Sequence, residues 1–385
     1  DGSTYGAPQP LSPGWCTLSV LFSDWDRSGR RDLRTANDRH YYRDGEEQLW
    51  RMEPGEPPRL YTHEEGWQSM QIWGMGIASH DLTGDGLPEV FLTSQSDNKL
   101  QTLTGDPTRP EYADIAFARG VTAHRPYAGD VVRPSTAWHP EFQDVNNDGL
   151  VDLYVSKGNV EAQPEFASQD PSNLLLGNPD GTFTEAAEAA GIVNFASARG
   201  AALVDLNLDG MLDLVEVNRR AGIELWRNVG WGDANRPVAM GDWVQLRLRQ
   251  PAPNPDAVGA WIEVRIGNRV VQREVELGRR EHDVDKVPKL PRRQQGVLAT
   301  GVIEEHQARA RRDVVVHKQW QVVIEGLSSS SEVLLSSRRH CSFDFIGGLP
   351  GTFFGRGWIP SKCRKDHLEP VESLIDLQKR EGRRT

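Results

Sequence analysis

Along the first 235 residues, apolar and polar positions follow one repeating order. A short apolar run is followed by a bend rich in Asp, Asn and Gly, and then by a second run that is partly alternating and β-branched. Ala201-Ala202-Leu203-Val204 leads into one bend, and Leu214-Val215-Glu216-Val217-Asn218 leaves it. Leu153-Tyr154-Val155-Ser156 and Val90-Phe91-Leu92-Thr93 leave two others. Apolar runs this short, bounded by turn residues, predict strands. Between bends lies a further recurring element. The stretch 177–184 reads as a turn-flanked hairpin, and 185–191 is a short Ala/Glu stretch ending in Gly. Residues 114–120 are its counterpart one unit earlier. Neither has room for more than one helical turn.

The bends are four copies of one pattern, Asp-x-[Asp/Asn/Thr]-x-[Asp/Ser]-Gly-x-x-[Asp/Glu]. The first runs from Asp24 through Asp26, Ser28 and Arg30 to Asp32, and the second from Asp81 through Thr83, Asp85 and Leu87 to Glu89. The third runs from Asp144 through Asn146, Asp148 and Leu150 to Asp152, and the fourth from Asp205 through Asn207, Asp209 and Met211 to Asp213. Their leading aspartates are 57, 63 and 61 residues apart. A period near 60 holds four short strands and their loops, which is one propeller blade. The expected class is therefore all-β, with residues 1–235 forming β-propeller blades, four of them visible.

The register breaks after about residue 232. Residues 243–249 and 261–266 alternate with period two, and Gly267-Asn268 turns the chain into 270–277. Residues 240–278 thus read as a small separate β module of three strands. Residues 279–385 receive no fold. Val314-Val315-Val316 and Val322-Val323-Ile324 are strand candidates there, and 371–380 is a candidate amphipathic helix.

Charge divides the chain. Residues 1–278 hold 24 Lys and Arg against 41 Asp and Glu, a net of −17, whereas residues 279–385 hold 20 against 14, a net of +6. The acidic part argues against nucleic acid, which needs a basic face, and suits cations or basic partners. Only the basic tail keeps a nucleic-acid or membrane-surface reading open. No apolar run reaches the length of a membrane span, and the first residues do not read as a signal peptide. Cys16, Cys341 and Cys363 make no zinc pattern. Either Cys341 and Cys363 form one bridge or all three thiols are free.

The bends carry the candidate chemistry. Calcium takes six to eight oxygens in a flexible shell. A tight loop offering side-chain oxygens at positions 1, 3, 5 and 9 and a carbonyl at 7 can wrap one ion. The carbonyls are those of Arg30, Leu87, Leu150 and Met211, and Gly at position 6 permits the sharp bend. Each loop holds three carboxylates, whose mutual repulsion is on the order of several kcal/mol without a cation. Four Ca²⁺ would take the front region from −17 to −9. Magnesium is the poorer fit, because it keeps its waters and a rigid octahedron. An EF-hand needs flanking helices and a Glu at position 12, where the chain has Thr35, Leu92, Val155 and Glu216. The first loop is the weakest of the four, with Ser28 at position 5 and Arg27, Arg30 and Arg31 inside it.

With their flanks, these loops resemble FG-GAP/VCBS repeats, the integrin-α-type blades. The similarity is carried by Trp73-Gly74-Met75-Gly76-Ile77-Ala78, by Asn173-Leu174-Leu175-Leu176-Gly177-Asn178 with Pro179-Asp180-Gly181-Thr182-Phe183, and by Arg199-Gly200-Ala201-Ala202 and Leu225-Trp226-Arg227-Asn228. Residues 241–278, notably Asn254-Pro255-Asp256-Ala257-Val258-Gly259-Ala260, are similar to the start of an ASPIC/UnbV domain. The two modules in this order resemble the cartilage acidic protein family and its bacterial relatives. That resemblance implies a secreted or surface-exposed propeller with bound calcium and no catalytic centre. It also implies seven blades, so upstream blades are expected outside this sequence. The rest of an ASPIC/UnbV domain is not recognisable after residue 278.

Two functional readings follow. One is an extracytoplasmic Ca²⁺-binding scaffold for adhesion, with a protein or glycan ligand on its loops. The other is a carbohydrate-binding lectin or a polysaccharide lyase, whose acid/base cluster would come from Arg125, Tyr127, Arg133 and His139. No nucleophile elbow and no phosphate loop is present, so the chain is read as a non-enzyme. His63, His80, His124 and His139 read as loop hydrogen-bonding groups.

Overall fold

The computed structural model describes residues 6–39, 45–95, 97–122, 136–160, 170–241, 245–249, 254, 258–266, 269–275, 303–304, 319–325 and 342–343. Four antiparallel sheets stand side by side as the blades of a propeller. Blade one is β1 (Cys16–Ser23), β2 (Asp32–Asp38), β3 (Gln48–Arg51) and β4 (Arg59–Leu60), paired in that order. Blade two is β5 (Gly74–His80), β6 (Glu89–Ser94), β7 (Lys99–Leu103) and β8 (Tyr112–Asp114). Blade three is β9 (Ala137–Gln143), β10 (Asp152–Lys157), β11 (Asn173–Gly177) and β12 (Phe183–Glu185). Blade four has three strands, β13 (Ser197–Val204), β14 (Asp213–Arg219) and β15 (Glu224–Trp226). The one helix among the described residues, α1 (Ala116–Arg119), is a single turn closed by Gly120 in the left-handed region at φ 77°. Residues 114–120 thus follow expectation.

Every Asp-rich bend joins the inner strand of its blade to the second strand. Ser23 pairs with Asp32, His80 with Glu89, Gln143 with Asp152 and Val204 with Asp213. Position 9 of each bend is therefore the first residue of the second strand. The topology puts all four bends at the same end of the blades, flanked by strands and not by EF-hand helices.

Blade faces are apolar because each packs on the next blade. Blades two and three share a cluster containing Phe91, Leu100, Phe142, Leu153 and Val155. Blades three and four share Tyr154, Leu174, Leu203 and Leu214, and blade one meets blade two around Trp25, Leu49, Tyr61 and Trp67. Inner strands are neighbours in sequence, β1 beside β5, β5 beside β9 and β9 beside β13. No comparable packing returns from β13 to β1 among the described residues.

The two end faces consequently stay open. Ala36, Thr93 and Ser156 occupy one repeat position in β2, β6 and β10 and have 0% exposure, whereas Val217, their counterpart in β14, is 45% exposed. Leu49, Leu100 and Leu174 are buried, but Leu225 at the same position of β15 is 58% exposed. At the other end, Leu18, Val20 and Phe22 of β1 point into solvent.

Beyond the blades, β17 (Trp261–Ile266) pairs with β18 (Arg269–Glu274) as the period-two pattern predicts. The third expected strand, β16 (Gln245–Arg249), pairs instead with β20 (Gln319–Glu325), which contains Val322-Val323-Ile324. A further short strand, β19 (Ile303–Glu304), adds to β17, and β21 (Ser342–Phe343) adds to β20. Strands on either side of residue 279 thus share sheets. Val314 to Val316, the 371–380 stretch, Cys341 and Cys363 lie outside the described residues. Cys16 is exposed and forms no disulfide.

Candidate metal loops

The four bends share one backbone. Gly29, Gly86, Gly149 and Gly210 at position 6 have φ between 80° and 91°, so the sharp turn needs glycine there. Position 4 is left-handed as well, at Arg27, Gly84, Asn147 and Leu208. Non-glycine residues take that conformation at a cost of about 1–2 kcal/mol each. The same left-handed turn in loops of different sequence, taken at a cost in the three where position 4 is not glycine, means that one geometry is enforced in all four.

The hydrogen bonds repeat too. The Gly N–H at position 6 donates to the position 1 carboxylate, Gly86 to Asp81 at 2.9 Å, Gly149 to Asp144 at 2.7 Å and Gly210 to Asp205 at 2.8 Å. The N–H at position 7 donates to the side chain at 5, Leu87 to Asp85 at 2.8 Å, Leu150 to Asp148 at 2.7 Å and Met211 to Asp209 at 3.0 Å. Position 9 ties the loop to the sheet. One Asp152 oxygen accepts from Val145 N–H and the other from Gly177 N–H, each at 2.9 Å. Asp213 accepts from Leu206 and Asn228 in the same way, and Glu89 from Leu82 N–H and the Thr102 hydroxyl. Asn146 and Asn207 at position 3 accept from the N–H of Asp148 and Asp209. Thr83 is exposed.

These carboxylates are electrostatically unsettled. Burial, reinforced by Asp85 and Asp81, pushes Glu89 up to about 7. Burial pushes Asp152 up to about 7 and Asp144 up to about 6, with the loop's other aspartates adding to both. Asp81 and Asp213 move upward for the same reasons. In loops two to four each oxygen at position 9 accepts one hydrogen bond, and a carboxylate oxygen has two lone pairs. The donor set there is all oxygen and hard, which fits calcium. Among the described residues no three acidic, His or Cys side chains converge closely enough to hold an ion.

The first loop differs. Asp32 accepts from the Trp25 indole at 2.9 Å, the Tyr61 hydroxyl at 2.7 Å, Met52 N–H at 2.9 Å and the Arg30 guanidinium at 3.0 Å. Burial would raise its pKa as elsewhere, but the bonds from Arg30, Tyr61, Met52 and Trp25 outweigh burial and hold it below the usual carboxylate range. Asp24 still caps Gly29 N–H, and Asp26 accepts from Ser28 N–H at 3.1 Å. Sequence pattern identified Arg30 only as a carbonyl donor. The roles of its side chain, Trp25 and Tyr61 were missed, and the one signal for them was the unusual arginine content of this loop.

Residues 81–155 and 144–216 match the family model of the FG-GAP-like repeat. The chain carries two FG-GAP-like repeats. Each match starts on the leading aspartate of a loop, Asp81 or Asp144, and ends in the second strand of the next blade. The FG-GAP-like match ends at residue 216 and does not show the ASPIC/UnbV resemblance expected for 241–278, and no curated protein matches the chain. Among solved structures, a lectin of Agrocybe aegerita described for specific recognition of non-reducing terminal N-acetylglucosamine is similar at a TM-score of 0.25 and 15% identity. The alignment covers 51% of this chain and 48% of that one, so this chain spans about half the lectin's length.

Of the residues considered for acid/base chemistry, Arg125, Tyr127 and Arg133 lie outside the described residues, as does His124. His139 sits 3.6 Å from Glu141 on β9. His80 is buried against Phe142, and burial, with Arg273 nearby, pushes it down to about 3. It is a neutral core histidine.

Proposed function

We propose that this FG-GAP-like propeller is a calcium-stabilised scaffold that presents a ligand-binding surface outside the cytoplasm. The observation that carries the reading is the repetition in loops two, three and four. Each has the same left-handed turn at positions 4 and 6, a buried or half-buried carboxylate at position 1 and a buried one at position 9. Each also has an aspartate at position 5, exposed in Asp85 and Asp148 and half-buried in Asp209, that accepts from the N–H at position 7. Bound calcium would draw on Asp81, Asp85 and Glu89 with Thr83 and the Leu87 carbonyl. In loop three it would draw on Asp144, Asp148 and Asp152 with Asn146 and Leu150. In loop four the ligands would be Asp205, Asp209 and Asp213 with Asn207 and the Met211 carbonyl.

A bound ion would supply two positive charges to the three carboxylates of a loop as they turn toward it, and so would fix the bend between inner and second strand. The protein's residues orient the oxygens through the N–H bonds described above. Weak sites of this kind fill at extracellular calcium levels, which favours an extracellular or periplasmic setting. No described helix is long and apolar enough to cross a membrane. A protein partner at the loop-bearing end is the favoured ligand class.

The test is isothermal titration with Ca²⁺ after stripping with EGTA, using Mg²⁺ as the control. The reading expects saturable Ca²⁺ binding that weakens in D148N and D209N. Absence of saturable binding up to several millimolar would overturn it.

A further inference from the structure

We infer that the first loop takes no metal, because the Arg30 guanidinium is its permanent counter-ion, and that the loop instead clasps the β17–β18 hairpin. The inference rests on the calcium reading of the other three loops and separates this one from them.

The capacity of Asp32 decides the point. An ionised carboxylate has about four lone-pair sites. Asp32 Oδ1 accepts from Arg30 Nε and Met52 N, and Oδ2 from Trp25 Nε1, Tyr61 Oη and Arg30 Nη2. Its side chain is fully buried, so no lone pair remains for an ion. The same guanidinium lies 3.9 Å from Asp26 and accordingly stands between the carboxylates of positions 3 and 9. A second anchor, the bond from Arg30 Nη2 to Tyr61 Oη at 3.0 Å, holds it there. No other loop puts a basic residue at position 7, where Leu87, Leu150 and Met211 stand. Position 5 is also a serine, so the three carboxylates of this loop stand at positions 1, 3 and 9, whereas the other loops place theirs at 1, 5 and 9.

The remaining two arginines of the loop face outward. Arg31 reaches the Val258 carbonyl and lies 3.4 Å from Glu274. Arg27 donates to Gln272 and stands 4.4 Å over the Trp261 ring. Glu274 also accepts from the Ser23 hydroxyl and from Asp24 N–H, both at 3.2 Å. Gly259 completes the contact, since a Cβ there would overlap the Arg31 guanidinium. A loop that needed calcium to hold its shape would tie this contact to the metal. A loop neutralised from within keeps the contact at any calcium level.

The test counts ions and follows backbone protection. Equilibrium dialysis against ⁴⁵Ca²⁺ should give three ions per wild-type chain, three in D26N and two in D148N. Four ions in the wild type, or the loss of one in D26N, overturns the inference while leaving the calcium reading intact. No bound ion in any of them overturns both. Hydrogen exchange on the unaltered protein gives the answer without relying on a variant. On adding EGTA, amides of residues 81–89, 144–152 and 205–213 should lose protection at least tenfold, and those of 27–31 and 272–275 should not change. Equal loss at 27–31 overturns the inference.

Discussion

Truncation of two equivalent leucines should have unequal effects. Leu100 in β7 and Leu225 in β15 occupy the same place in their blades, each paired across from the third residue of the second strand. Leu100 is completely buried among Phe91, Ala116, Val121 and Phe142, where blade three covers blade two. Removing its three outer carbons loses their transfer energy and leaves a cavity that the surrounding strands cannot close, at a cost of about 2–5 kcal/mol. Leu225 is 58% exposed, so less than half of its side chain contributes. A fully buried Leu is worth roughly 1.5–3 kcal/mol in transfer alone, and no cavity forms at an open face, so Leu225→Ala should cost less than ~1 kcal/mol. Urea denaturation of both variants in millimolar Ca²⁺, read as a shift in midpoint at constant slope, gives the comparison. A loss of more than 2 kcal/mol in Leu225→Ala would refute the reasoning, because the outer face of blade four would then be covered in solution.

Further outcomes follow from other buried groups. Burial raises the Glu47 carboxyl to about 8, against the partial opposition of the Asn37 N–H and the nearby Arg34. An unfolded Glu titrates near about 4.3. The unfolded chain therefore releases this proton first, and stability falls as pH climbs from about 4.5 to about 8, by about 1.4 kcal/mol per unit at most. Glu47→Gln should flatten that slope in melts at pH 5, 6.5 and 8, and an unchanged slope would assign it to other groups. Lys157 and Asp170 form a buried pair at 2.5 Å, with Asn173 accepting from the same ammonium at 3.0 Å. Asp170→Ala should cost about 3–5 kcal/mol and Lys157→Met with Asp170→Leu considerably less, as a double-mutant cycle would read out. Gly259→Ala combines a φ of 82° with a clash on Arg31. It should make residues 258–275 sensitive to limited proteolysis while the blades stay resistant.

The blades were legible in the sequence because their determinants are local. An apolar run, an Asp/Gly bend and a β-branched run fix a hairpin without help from elsewhere, and strands β6, β10 and β14 fall where Val90, Leu153 and Leu214 predict them. The glycine at position 6 was equally legible, since one backbone angle demands it. What local pattern could not convey is the direction of a long charged side chain. Arg30 turns into its loop because Tyr61 and Asp32 await it there, and Tyr61 lies 31 residues away in sequence. The pairing of Tyr154 and Ser172 with buried Glu216 likewise joins neighbouring blades. Pairing of β16 with β20 was hidden for the same reason, because a strand's alternation shows which face is buried but not which strand lies beside it.

Thermal unfolding in Ca²⁺ and in EGTA tests the central claim most directly. A ligand at about 100 times its dissociation constant contributes about 2.7 kcal/mol for each site present only in the folded state. The account predicts a midpoint several degrees higher in millimolar Ca²⁺ than in EGTA, with Mg²⁺ close to EGTA. The same midpoint in all three solutions would contradict it.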